Sequence, residues 1–208
     1  MSHQASARAA ARRRRSTILA VIVIVAATLF GYQSLETSSS SAATLPLHAA
    51  HVDHSPGEIG GDGEVPDGVT VFDDHVKAVT RLQPDLLRAL RRAATSAAPD
   101  GVTFHVSSGW RSRAYQERLL SQAIAKYGSK EEAARWVATP DTSPHVSGDA
   151  IDIGGADAMA WLSRHGRAYG LCQIYANEPW HYELRPKAVA EGCPPMYADP
   201  THDPRMQQ

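Results

Sequence analysis

An aspartate set between two isoleucines limits the ways this chain can fold. The segment SPHVSGDAIDIG, residues 143–154, ends in Ile151-Asp152-Ile153 and a glycine. In extended structure successive side chains alternate faces. Ile151 and Ile153 then enter a core, while Ala150 and Asp152 look the other way. A carboxylate held away from water without a partner costs several kcal/mol. Asp152 therefore needs a counter-group, and His145, just before a Ser-Gly turn, is placed to share it. A metal ion is one candidate, and the rest of the chain has to supply more ligands.

With 208 residues the chain can build one domain with a real core plus appendages. A formal net charge of -1 gives no electrostatic case for nucleic acid as a partner. The positive charge that stands out is local. Arg12 to Arg15 precede STILAVIVIVAATLFGY, and no charge follows until Glu36. A basic cluster and then an apolar run reads as a membrane anchor or a secretory signal. The strongly apolar part, Ile18 to Phe30, is shorter than the ~20 residues of a typical span, and Ser16, Thr17, Gly31 and Tyr32 bring it close. We read residues 1–15 as a basic cytoplasmic terminus and 16–32 as an uncleaved anchor. Cleavage near Ser41-Ala42-Ala43 is the alternative. Either way the positive-inside rule puts the remainder outside the cytoplasm. Cys172 and Cys193, an even pair in an exported chain, are expected to form a disulfide.

Residues 33–66 are rich in small and polar residues, as a flexible linker is. His48, His51 and His54 within it read as a solvated cluster rather than a metal site. The globular domain is expected over 67–200, with 201–208 as a tail. Pro84-Asp85 opens a helix whose Leu86, Leu87, Leu90, Ala94 and Ala97 keep helical spacing. VTFHV, 102–106, reads as a strand. A helix over 112–127 carries Tyr115, Leu119, Ala123 and Tyr127 on one stripe and stops at Gly128. Ser129 with Glu132 signals a capping box for the next helix, ending before Pro140. A helix over 156–165 follows, and LCQIY and WHYEL are two strands joined across ANEP. Helices early and strands late predict an α+β domain, not alternating βαβ units.

The missing ligands lie in NEPWHYEL. Pro179 disfavours helix at Glu178, so this is a loop-and-strand site, unlike a helical H-E-x-x-H site. Two neutral imidazoles and a carboxylate suit zinc, whose catalytic sites take three protein ligands and keep one position open. His145, Asp152 and His181 make that set. Glu178, offset from His181 along a turn, is placed to be the general base. Arg111, between a strand end and a helix start, is placed to bring a cation into the cleft.

From Ser108 to Leu184 the chain resembles the zinc D-alanyl-D-alanine carboxypeptidases and dipeptidases of the VanY/VanX type, especially the VanY-like branch. SGWRS at 108–112, followed by Gln116, is similar to the family's S-G-Y-R-S…Q block, with Trp110 for the usual tyrosine. SPHVSGDAID matches S-x-H-x-[ST]-G-x-A-x-D, and EPWHYEL matches E-x-W-H-[YF]. The resemblance implies a small hedgehog-like α+β domain with a zinc on an antiparallel sheet, held by His145, Asp152 and His181. Glu178 would be the base, and Arg111 would bind substrate and steady the tetrahedral intermediate. Ser143, Ser147 and Gln116 would support the site by hydrogen bonding. Trp180 would flank the substrate or sit in the core beneath the strand. The expected activity is removal of the terminal D-alanine from peptidoglycan stem peptides, by a monomer outside the cytoplasmic membrane. An endopeptidase cutting L-alanyl-D-glutamate in the same stem is the second reading, and a non-catalytic zinc-stabilised wall-binding module the third. An extracytoplasmic site argues against a dipeptidase serving a cytoplasmic pool.

Overall fold

Pro84 at the first helical position and Asp85 in the first turn start α2 (Pro84–Ala97), the principal core helix. Its Leu86, Ala89, Leu90, Ala93, Ala94 and Ala97 are buried, one stripe of a 3.6-residue repeat. The computed structural model describes residues 60–207. Within them, the short α1 (Lys77–Thr80) precedes α2 and β1 (His105–Ser108) follows it. Next come α3 (Arg113–Tyr127), α4 (Lys130–Ala133), β2 (Ala150–Gly154) and α5 (Ala156–His165). The chain then forms β3 (Leu171–Gln173), β4 (His181–Leu184) and α6 (Ala188–Glu191). The four strands make one antiparallel sheet in the order β1-β2-β4-β3.

The pleat separates core from chemistry. Val106, Ile151, Ile153, Leu171 and Tyr182 lie in the main core with α2, Trp161 and Leu162. On the other face β2 and β4 pair with Asp152 directly opposite His181. Opposed residues of an antiparallel pair stand with Cβ atoms ~5 Å apart, so sheet register alone brings two of the expected ligands together. The expected alternation in β2 holds, although both of its faces are covered: Ala150 to Ile153 are all buried.

Several boundaries differ from the sequence reading. The first strand begins at His105, not residue 102, because the ladder starts there: His105 bridges Thr70 and Val106 N–H donates to the Val69 carbonyl. The helix after Ser129 lasts one turn. Ser129 caps it by accepting from Glu132 N–H, but the chain then leaves for turns through Trp136. Of the expected stripe on α3 only Ala123 is buried, while Tyr115, Leu119 and Tyr127 are half-buried; the helix's other buried residue is Gln116. The domain also exceeds 67–200 at both ends. Asp62 and Glu64 pair with Arg118. Beyond residue 200, Asp203 is fully buried and Arg205 reaches Glu183, so 201–207 are built into the domain. Among the described residues no helix is long and apolar enough to cross a membrane. The expected anchor at 16–32, and His48, His51 and His54, lie outside the described residues.

Cys172 and Cys193 form the expected disulfide, with Cα atoms 5.6 Å apart. It closes a satellite cluster of Ile174, Tyr175 and Ala188 below the edge strand.

Candidate active site

His145 reaches the sheet from a turn that needs glycine. At Gly148, φ is 79° and a Cβ would stand 2.5 Å from the Arg81 carbonyl oxygen, so a side chain is excluded. Gly109 is pressed on Ala78, whose carbonyl oxygen would be 2.0 Å from a Cβ. Its own carbonyl is then turned to His145, 2.8 Å from Nδ1. A carbonyl only accepts, so Nδ1 carries the hydrogen and Nε2 offers its lone pair to the cleft.

That lone pair meets the pair made by sheet register. His145 Nε2 is 3.4 Å, and His181 Nδ1 3.2 Å, from the same oxygen of Asp152. One ligand atom from each of the three residues lies within 4.8 Å of the others, and all three side chains are buried. Zinc bonds of 2.0–2.2 Å in a tetrahedron place ligand atoms about 3.3 Å apart. The spacing on Asp152 agrees with that, and the donor set fits a metal centre with an open position.

The charges are arranged around the same point. Burial opposes ionisation of Asp152, and the two imidazoles hold its carboxyl well below the usual carboxylate range. Burial and the Arg111 guanidinium push His145 down. Burial also works against protonated His181, but Asp152 and Glu183 outweigh it and raise the imidazole to about 9. Glu178 lies 3.7 Å from His181 Nδ1, and burial pushes its carboxyl up to about 7, near the value suited to proton transfer at neutral pH.

Arg111 is held at three points. Its guanidinium donates to Ser108 Oγ (2.8 Å), Gln116 Oε1 (3.1 Å) and the second Asp152 oxygen (3.1 Å). Gln116 is fixed in turn by donating to the Ala138 carbonyl at 2.8 Å. Ser143 is buried, its Oγ has no hydrogen-bond partner, and it lines the cleft. Trp180 is 37% exposed and Trp136 38%, which removes the core reading for Trp180. Both line the same cleft of about 390 Å³, with Tyr127 stacked on Trp136.

Ser147 does not join them. Its hydroxyl donates to Asp149 (2.6 Å) and lies 3.2 Å from the Pro144 carbonyl oxygen within its own turn, and it faces a neighbouring cleft. Its role is to shape the turn that carries His145. Sequence reading missed Glu183, fully buried with Oε1 3.3 Å from His181 Nε2. The signal was present: residues i and i+2 of a strand share a face, so Glu183 had to lie beside His181. Burial would raise its carboxyl, but His181 and Arg205 hold it well below the usual range.

A profile of the VanY family, described as D-alanyl-D-alanine carboxypeptidase, matches residues 79–187. The chain belongs to the VanY family. A curated D-alanyl-D-alanine carboxypeptidase from Enterococcus faecalis (strain ATCC 700802 / V583) is 32% identical over 112 residues. That match covers 42% of this chain and 42% of the relative, so the chain spans less than half of the relative's length. Among solved structures, VanYB in complex with D-alanine-D-alanine is 26% identical, covering 53% of this chain and 78% of its own, with a TM-score of 0.49. An L,D-carboxypeptidase, DacB from Streptococcus pneumoniae, is also 26% identical, over 54% of this chain and 73% of its own, with a TM-score of 0.45. The VanY match contains all three motif blocks, and with them Arg111, His145, Asp152, Glu178 and His181.

Proposed function

We propose that this chain is a zinc-dependent D-alanyl-D-alanine carboxypeptidase acting on peptidoglycan stem peptides. The observation that carries the reading is one cleft in which His145, Asp152 and His181 converge with Glu178 and Arg111 beside them. Zinc held by the three ligands would supply a Lewis acid and an acidified water. Glu178 takes the proton from the attacking water and returns it to the departing D-alanine amine, so one carboxyl is base and then acid. Arg111, a fixed cation that cannot lose its proton, binds the negative charge of the substrate and steadies the developing oxyanion. Ser143 offers a buried hydroxyl to the peptide, and Trp180 and Trp136 flank it. The water's oxygen ends on the new carboxylate and no acyl-enzyme forms.

The place of action is outside the cytoplasmic membrane, with residues 16–32 as the tether. What supports this is the Arg12–Arg15 cluster ahead of the apolar run and the disulfide, which persists in oxidising surroundings.

The test uses the full-length chain loaded with zinc and given a synthetic stem pentapeptide ending in D-Ala-D-Ala. Mass spectrometry should show chelator-sensitive loss of a single alanine. Cleavage between L-alanine and D-glutamate would replace this reading with the endopeptidase. An intact peptide would overturn it.

A further inference from the structure

The C-terminal segment expected to be a tail closes a ring of contacts behind a metal ligand. Arg205 donates through Nη1 to Glu183 Oε2 (2.8 Å) and through Nη2 to Glu183 Oε1 (3.1 Å). Oε1 is the same oxygen that takes His181 Nε2 at 3.3 Å. The remaining edge of the guanidinium is held by Asp203, with Nε 3.0 Å from Oδ2. Asp203 accepts the Tyr175 hydroxyl at 2.9 Å, and the Tyr175 ring packs 5.1 Å from the His181 ring, centroid to centroid. The circuit thus runs from His181 through Glu183, Arg205, Asp203 and Tyr175 back to His181. It is fastened to the domain by the Cys172–Cys193 disulfide and by the bridge between Tyr175 and Tyr197. Arg185 Nη2 also reaches Glu183, 2.7 Å from Oε2, whereas the His181 contact is to Oε1.

We propose that Arg205 is a positioning residue for the metal centre, acting through Glu183 to fix the ring orientation and tautomer of His181. This role rests on the metal-site reading of His145, Asp152 and His181. A carboxylate oriented by a bidentate guanidinium accepts the Nε2 hydrogen, which leaves Nδ1 as the lone pair facing Asp152. Asp203 and Tyr175 stop the guanidinium from turning, because a planar fork bonded on two edges has one orientation. The working site therefore extends past residue 187, where the family match ends, to Arg205.

The experiment compares full-length wild type with Arg205→Gln, Arg205→Lys and the control Arg118→Gln, which removes ion pairs to Asp62 and Glu64 at the surface. Two quantities are read: the zinc dissociation constant, by competition with a chromophoric chelator, and the visible spectrum of the cobalt(II)-loaded protein. Arg205→Gln should weaken zinc binding by about 10- to 100-fold and alter the cobalt spectrum, while Arg118→Gln changes neither. If Arg205→Gln does not fold, Arg205→Lys decides. It keeps the charge but cannot fork across both carboxylates, so zinc should still bind about threefold or more weakly. Folded Arg205 variants with wild-type affinity and spectrum would overturn the inference and leave the proposed function standing. A wild-type chain that binds no zinc would overturn both.

Discussion

At the scale of single residues, the two serines of the central motif part company. Ser143 is buried with a free hydroxyl in the cleft, whereas Ser147 spends its hydroxyl on its own turn. Ser143→Ala should raise KM for the pentapeptide several-fold, and Ser147→Ala should leave kcat/KM within about twofold; steady-state assays on both check this. Arg111→Ala should cost more, about 10²- to 10³-fold in kcat, because it removes a cation from the cleft and also unpins Asp152. That Arg111, His145, Asp152, Glu178 and His181 would lie together was legible at this scale because they sit in three short sequence blocks. Ser147 was misread because a motif position shows which residue is present but not where its hydroxyl points. Glu183 could have been found from the two-residue period of β4. Arg205 could not, since only the folded chain brings it 22 residues back onto Glu183.

At the scale of elements, the strongest periodic signals held. The helix starting at Pro84 stands where spacing put it, and the one expected over 156–165 has those bounds. Leu90 is fully buried under the sheet, and Leu90→Ala should cost about 2–5 kcal/mol in chemical denaturation; a loss below about 1 kcal/mol would contradict its place in the core. The errors fall where local propensity met tertiary demands. VTF continues the β-branched look of the first strand, yet pairing begins only at His105. The helix after Ser129 has a sound cap, but Gln116 takes the Ala138 carbonyl and the chain turns toward the cleft. The disulfide was read from compartment and count alone. Its reduction should cost about 2–4 kcal/mol, visible as a fall of roughly 5–15 °C in Tm; an unchanged Tm would contradict a stabilising role.

At the scale of the whole molecule, the sheet acts as a partition. One face is the core with α2 and α5, and the other carries the buried polar site. The C-terminal segment seals that second side through Asp199, Asp203 and Arg205. Burial tends to raise the Asp199 carboxyl, but Thr201, His202 and Arg135 hold it at about 2. A carboxyl with a depressed folded pKa contributes stability that is fully present above its unfolded pKa, ~4, and fades as pH falls toward ~2. The difference in urea midpoint between metal-free wild type and Asp199→Asn should therefore shrink from about pH 5 to about pH 3. A constant difference would contradict this. None of this sealing was visible in the sequence, where 197–207 shows no periodicity and its value lies in contacts far along the chain.

The proposed function turns on one buried carboxyl, Glu178, moving protons beside a metal held by His145, Asp152 and His181. The most direct measurement determines zinc content and pentapeptide turnover together, for wild type and Glu178→Gln. One zinc per chain is expected in both, with a loss of about 10²- to 10⁴-fold in kcat for the variant. Near-normal turnover by Glu178→Gln at full zinc occupancy would contradict it.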